Sequence, residues 1–219
     1  MLDKFKNKKI LVLGGGTSTI DVKWENLDYD YLWTCNDFFL SDRINKAKVD
    51  LVTLAYNTNL YDKKLCDKLT KDSPLILIET HHYREKIHSQ ELKDFSSKFE
   101  VHGVNIPLDS IAGAASRLVK LGLMCEAEKV YFAGVDGFNK SFTNKHAFTG
   151  HIGLKDTDTR REYEIYYEGF KKFFNHLLEL DYSKLQNLGE GFDYNNGSEI
   201  SEKHFPLSDE TKRLIYEKH

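Results

Sequence analysis

The sequence predicts an α/β fold, a mostly parallel sheet with helices on both faces. Short apolar runs such as 10–13, 75–79 and 129–135 have the length and β-prone composition of buried strands. Stretches with helical spacing separate most of them, and that alternation implies parallel strands joined by crossovers. The first run, KILVLGGGTS over residues 9–18, breaks directly into three glycines and two hydroxyl residues. In sheets of this kind ligands sit outside the carboxyl ends of the strands.

Residues 9–13 are the expected central strand. Gly14, Gly15 and Gly16 let the backbone approach a ligand with no side chain in the way. A helix starting after Ser18 would turn unpaired N–H groups and its dipole toward an anion such as a phosphate. A tight strand-to-helix turn without a ligand explains the same glycines. Residues 20–28 are polar and read as a short helix or loop, and 29–36 (YDYLWTCN) as the second strand, stopped by Asn36-Asp37. A short helix is expected over 38–47 and a third strand over 49–56, ending at Asn57-Thr58-Asn59. A helix over 65–70 then leads to a fourth strand at 75–79.

Helical spacing returns over 89–99, followed by a short strand at 100–104. Residues 110–123 (SIAGAASRLVKLGL) form an amphipathic, small-residue helix with Asp109 or Ser110 as its cap. The buried strand at 129–135 (KVYFAGV) ends at Asp136, and the polar loop over 137–158 is long enough for a functional role. The longest helix is expected over 159–180, a last strand over 184–188 and a final helix over 208–217. The organisation is one domain, 1–190, with a lid loop at 137–158 and a C-terminal tail at 191–219.

At 219 residues the chain is long enough to bury a full core without disulfides or metal. A net charge of -3 with no long basic run speaks against nucleic-acid binding, which needs concentrated positive charge. Cys35, Cys66 and Cys125 are far apart and make no C-x-x-C pair, which suits a reducing compartment. No apolar signal core follows MLDKFKNKK, and no stretch approaches the ~20 apolar residues that span a bilayer. The expectation is a soluble, cytoplasmic protein without a transmembrane segment, with room for peripheral membrane association and for a homo-oligomer.

The strand ends therefore hold the candidate site: Gly14 to Ser18, Asn36-Asp37, Asn57 to Asn59, His81-His82, and Asp136 with the loop behind it. An asparagine offers both a donor and an acceptor, which suits base or ribose edges, and it is equally a favoured turn residue. The dinucleotide fingerprint fails at its third glycine, where Thr19 stands, although Asp37 is placed for a ribose hydroxyl. No glycine is followed by Lys-Ser or Lys-Thr, so the Walker loop is absent, and no Gly-x-Ser-x-Gly elbow exists. Asp156-Thr157-Asp158 resembles a metal-holding D-x-D but lies just ahead of a predicted helix, where acids cap. His81, His82 and His88 lack a third ligand at regular spacing and read as exposed loop residues, so no metal site is expected. His146 and His151 lie in the loop after Asp136. There a near-neutral imidazole is able to take a proton from a hydroxyl acceptor, and a solvated loop histidine explains them as well.

Taken together, these segments resemble glycosyltransferase family 42, the bacterial sialyltransferases that use CMP-sialic acid. They are also similar to the related flagellin-glycosylation and hydroxymethylpterin diphosphokinase-like proteins. LGGGTS is similar to the family's A-G-N-G-P-S turn, TCNDFF to R-C-N-Q-F, and AYNTN to the F-Y-N-P after the third strand. LDSIAGAASRLVKLGL followed by KVYFAGVD resembles the T-S-G helix and the I-Y-L-S-G-I-D strand. HAFTGH resembles the lid that carries a tyrosine and then a Gly-His pair.

The resemblance implies a Rossmann-like, GT-A-like nucleotide-binding domain. It implies donor-phosphate or ribose contacts at Gly14, Gly16 and Ser18, with Gly15 at a family asparagine, and nucleotide contacts at Asn36 and Asn57. It places Asp109 and Ser110 at the donor, Asp136 at the strand end, and the general base at His151. The family's lid tyrosines fall near Phe138 and His146, and of these only His146 is able to hydrogen-bond a departing phosphate. The family's arginine falls near Pro107 and its threonine at Asp109, a carboxylate where an anionic sugar would bind. The implied activity is metal-independent, inverting transfer of sialic acid or a similar nonulosonate from a CMP-activated donor to a glycan hydroxyl, as in polysaccharide biosynthesis. No cofactor is implied beyond the CMP-sugar itself. The alternatives are a pterin diphosphokinase-like pyrophosphoryl transferase, requiring ATP and a metal, and a non-catalytic nucleotide-binding module.

Overall fold

The apolar runs assemble into a seven-stranded parallel sheet of a Rossmann-like α/β fold. A computed structural model describes residues 1–20, 22–55, 58–80, 88–106, 113–135 and 182–189. The strands are β1 (Lys9–Leu13), β2 (Tyr31–Cys35), β3 (Leu51–Leu54), β4 (Leu75–Glu79), β5 (Val101–Val104), β6 (Lys129–Ala133) and β7 (Leu185–Asn187). They lie in the order β5-β4-β3-β2-β1-β6-β7, and every neighbouring pair is parallel. The chain steps outward from β1 to β5 and then returns to β6 on the other side of β1. The change of direction therefore falls between β1 and β6, where such sheets open a crevice.

Continuous rather than alternating apolar strands follow from burial on both faces. On β1, Ile10 and Val12 pack with Leu118, Val119 and Leu121 of helix α3 (Ala114–Met124). Leu11 and Leu13 face the other way, in a cluster with Leu65 and Leu69 of α1 (Lys63–Asp72) and Leu92 and Phe95 of α2 (Gln90–Lys98). Burying each such side chain contributes about 1.5–3 kcal/mol. The caps of α1 and α2 are local. Asp62 accepts from Lys64 N–H at 2.7 Å, and Ser89 accepts from Leu92 N–H at 3.2 Å. Ser73 ends α1 in the left-handed region at φ 48, just ahead of Pro74.

Three expectations are decided or corrected. First, of the short helix or loop read over 20–28 the described residues show the loop, with no α-helix after the glycine turn. The chain makes only 3-10 turns at Thr17–Thr19 and Trp24–Asn26. The buried Val22, Trp24 and Leu27 are spaced for a flat path over the sheet rather than for a helical stripe. Second, 38–47 is not one helix but two 3-10 turns, Asn36–Leu40 and Asp42–Ile44. Ser41 between them is extended, at φ -66 and ψ 141, and its hydroxyl accepts from Arg43 N–H. Third, α3 starts at Ala114 rather than at 110, and Asp109 and Ser110, its expected caps, lie outside the described residues. Gly113 stands at the N-cap with φ 79 and ψ 164, a backbone conformation through which no helix runs. The helices expected over 159–180 and 208–217, the lid and the tail lie outside the described residues. Among the described residues no helix is long and apolar enough to cross a membrane.

Candidate functional site

At the carboxyl edge of the sheet the exits of β1 and β6 are in backbone contact. Gly14 N–H donates to Ala133 O at 2.8 Å, and Gly16 N–H donates to Gly134 O at 3.0 Å. A side chain on either Gly14 or Gly134 would overlap the backbone of the other, and Gly134 also holds φ +69. The glycines are thus required by the close approach of two strand exits. With no α-helix behind the turn, the helix-terminus phosphate site is absent from the described residues, and the Gly14 and Gly16 donors are engaged inside the fold. Gly15, at the tip, is the partly exposed one of the three.

Ser18 and Thr19 lock this turn. The Ser18 hydroxyl oxygen accepts from Gly134 N–H at 2.8 Å, and a Cβ on Gly189, just beyond β7, would overlap it. Thr19, buried at the position of the missing fingerprint glycine, donates its hydroxyl to Gly16 O at 2.8 Å. The Arg43 guanidinium donates to the carbonyls of Thr19 at 3.2 Å and Val22 at 2.9 Å. These contacts order a connection that has no helix to order it.

Asn36 leaves β2 with φ 49, in the left-handed region that asparagine tolerates. Its Oδ1 accepts from Ala55 N–H at 2.8 Å, joining the exit of β2 to that of β3. One lone pair of the oxygen is thereby used in the fold, and no partner of the side-chain NH2 is found among the described residues. Neighbouring Cys35 is buried, and its thiol is pushed up to about 12, by burial first and then by the charges of Glu79 and Asp37. It is no nucleophile at neutral pH.

Sequence reasoning missed one charged pair at this edge. Glu79 ends β4, and its Oε2 lies 3.2 Å from Arg117 Nε of α3, with side-chain exposures of 4% and 7%. The contact is ionic rather than an aligned hydrogen bond. Burial pushes the Glu79 carboxyl up to about 7, with Arg117 opposing the rise. The available signal was a carboxylate closing the apolar run LILIE and an arginine inside the apolar helix AASRLVKLGLM.

The structure thus brings Gly14, Gly15, Gly16, Ser18 and Asn36 to one edge of the sheet. Asn57, Asp109, Ser110, Asp136, His146 and His151 lie outside the described residues. So do Phe138, His81 and His82, whereas His88 is exposed. Among the described residues no three His, Cys, Asp or Glu side chains cluster so as to hold a metal ion.

The class defined by these features is a Rossmann-like α/β protein whose strand order reverses between β1 and β6. No protein-family model matches the chain, and no curated protein matches it in sequence. Among solved structures it is similar to the sialyltransferase CstII from Campylobacter jejuni in complex with a substrate analogue, cytidine-5'-monophosphate. That likeness has a TM-score of 0.59 at 16% identity, over 98% of this chain and 91% of that one. The same sialyltransferase with CMP-3FNeuAc gives a TM-score of 0.58 at 16% identity, over 97% and 91%. Likeness at this identity establishes the shared fold.

Proposed function

We propose that the protein is a glycosyltransferase that binds a CMP-activated sugar at the carboxyl ends of β1, β2 and β3. The observation that carries this reading is Asn36, held at the exit of β2 with its oxygen tied to Ala55 and its NH2 left to face a base or ribose. The fold it occupies is shared with a sialyltransferase described with CMP. The Gly14 and Gly16 N–H groups are turned to the exit of β6 rather than to a ligand, donating to Ala133 O and Gly134 O.

In this reading Asn57 joins Asn36 on the nucleoside, while Asp109, Ser110 and Asp136 border the donor. His151 takes the proton of the acceptor hydroxyl as its oxygen attacks the anomeric carbon in line. The bond from that carbon to the phosphate oxygen of CMP breaks, CMP departs with the bonding pair, and the configuration inverts. His146 donates a hydrogen bond to the departing phosphate. The donor is a nonulosonate or a similar sugar, the acceptor is a glycan hydroxyl, and no metal takes part.

The test is transfer from a panel of CMP-activated sugars to glycan acceptors with EDTA present, reading product configuration by NMR. Inverted product formed in EDTA supports the reading. Activity that needs ATP and Mg²⁺ instead moves the protein to pyrophosphoryl transfer, and CMP binding without any turnover leaves a nucleotide-binding module.

A further inference from the structure

The loop that leaves β3 carries an aromatic ring in the open. Tyr61 is 56% exposed, the most exposed large apolar side chain among the described residues. A lone exposed ring is ordinary on a protein surface. What sets this one apart is that its neighbours hold it at both ends. The backbone N–H of Tyr61 donates to Asn59 Oδ1 at 3.1 Å, and Asp62 N–H closes the same turn on Asn59 O at 3.1 Å. Leu60, which is buried, donates its N–H to Glu91 Oε1 at 2.8 Å. At the far end the phenol donates to Oδ2 of Asp94, in α2, at 3.0 Å, and the other oxygen of Asp94 accepts from Gln90 Nε2 at 2.6 Å. Fixing a side chain in solvent costs rotamer entropy, and that cost is then no longer met when something binds.

The ring stands on the edge of the sheet where ligands bind. Parallel strands put the start of each following helix at the carboxyl edge, so Tyr61 just ahead of α1, and Gln90 and Asp94 at the start of α2, lie there. Thr58 N–H donates to Ala55 O at 3.0 Å, and Ala55 N–H donates to Asn36 Oδ1. Tyr61 follows Thr58 by a span of at most about 11 Å of chain. The ring is therefore a near neighbour of the Asn36 exit.

We propose that Tyr61, with Asp94, Gln90 and Asn59 around it, is a saccharide-binding platform that serves as the acceptor subsite. Its role as acceptor subsite rests on the glycosyltransferase reading above. The saccharide site itself does not. A pyranose ring offers a face of C–H bonds and a rim of hydroxyl groups. The face packs on an aromatic ring, and the rim needs fixed donors and acceptors beside it. Both are present. Hydrogen bonds from Gln90 and then Tyr61 hold the Asp94 carboxyl below its usual value, so it is ionised at neutral pH. A carboxylate has about four lone-pair positions, and these two bonds leave others for hydroxyl donors. Asn59 and Gln90 are exposed, and among the described residues the Asn59 NH2 and the Gln90 carbonyl oxygen have no partner. A carboxylate beside the ring also favours a neutral saccharide over an anionic one.

The test is NMR titration of the full chain with lactose, maltose and chitobiose, comparing wild type, Tyr61→Phe and Tyr61→Ala, with calorimetric titration of CMP on the same samples. Tyr61→Phe keeps the ring and loses the bond to Asp94, whereas Tyr61→Ala loses both. Because the side chain is exposed, both variants are expected to fold. Wild type should bind at least one of the disaccharides with millimolar affinity. Tyr61→Ala should weaken that binding at least about tenfold and Tyr61→Phe by no more than about threefold, with CMP affinity unchanged in both. Absence of binding by all three sugars in wild type, or equal affinity in Tyr61→Ala, overturns the platform. An equal loss in the two variants also overturns it, since the bond to Asp94 would then act only as a tie between the loop and α2. Loss of CMP affinity in Tyr61→Ala would put the nucleotide on the ring and overturn the acceptor role. A wild type that binds a disaccharide through Tyr61 but binds no CMP supports the saccharide site and refutes the donor reading.

Discussion

The N–H of Gly134 donates to the hydroxyl oxygen of Ser18 at 2.8 Å, so the chain leaving β6 is hung from the turn that leaves β1. With the return bonds from Gly14 and Gly16, this joins the two strands at the point where the sheet reverses its order.

Gly134→Ala should destabilise the protein by on the order of 3 kcal/mol, because the new side chain meets the Gly14 backbone at a left-handed φ. Gly113→Ala is the comparison. Its φ is +79 but no described residue would come within 4 Å of the new Cβ, so strain is the cost expected there, about 1–2 kcal/mol. Urea unfolding of both variants checks the order, and equal losses would contradict the close-approach account.

Ser18→Ala removes the acceptor of a part-buried N–H and should lose about 1–2 kcal/mol. Ser18→Thr keeps the oxygen but adds a methyl where Gly189 already crowds the hydroxyl, so thermal melts should show it destabilised as well.

The strands were legible because a buried parallel strand leaves an unmistakable run. Leu75–Glu79 is observed with the bounds read from the sequence, and the run at 9–13 became the strand where the sheet switches direction. The connections were less legible. Val22, Trp24 and Leu27 are apolar but bury without helical period, and 38–47 looks helical until Ser41 breaks it. The strand-end rule pointed to Asn36, yet its splice to Ala55 depends on strands meeting in register. Glu79 and Arg117 are far apart in sequence, and only the packing of α3 on the sheet makes them partners.

The pH dependence of stability carries a sign that follows from Glu79. Its carboxyl is raised from 4.5 to about 7 in the folded state, so the folded protein holds this proton more tightly than the unfolded chain. The associated stability is fully present below about pH 4.5 and is lost as pH rises through about 7, by at most about 3 kcal/mol. Urea midpoints from about pH 5 to about pH 8 should therefore fall more in wild type than in Glu79→Gln. Parallel profiles would remove Glu79 as the source.

His151→Ala should lower turnover by roughly 10²–10⁴-fold while leaving CMP affinity unchanged, since a general base acts on the acceptor and not on the nucleotide. Single-turnover kinetics with the donor panel checks this. Unimpaired turnover would exclude His151 as the base.

Asn36→Asp separates fold from ligand at one position. The carboxylate is still able to accept from Ala55 N–H, but it has no NH2 to donate. The most direct test of the central claim is calorimetric titration of wild type and Asn36→Asp with CMP in metal-free buffer, alongside their melting temperatures. The account predicts that wild type binds CMP and that Asn36→Asp binds at least about tenfold more weakly, a loss of about 1.4 kcal/mol, at a similar melting temperature. Absence of CMP binding in wild type, or equal affinity in the variant, would contradict a nucleotide site at these strand ends.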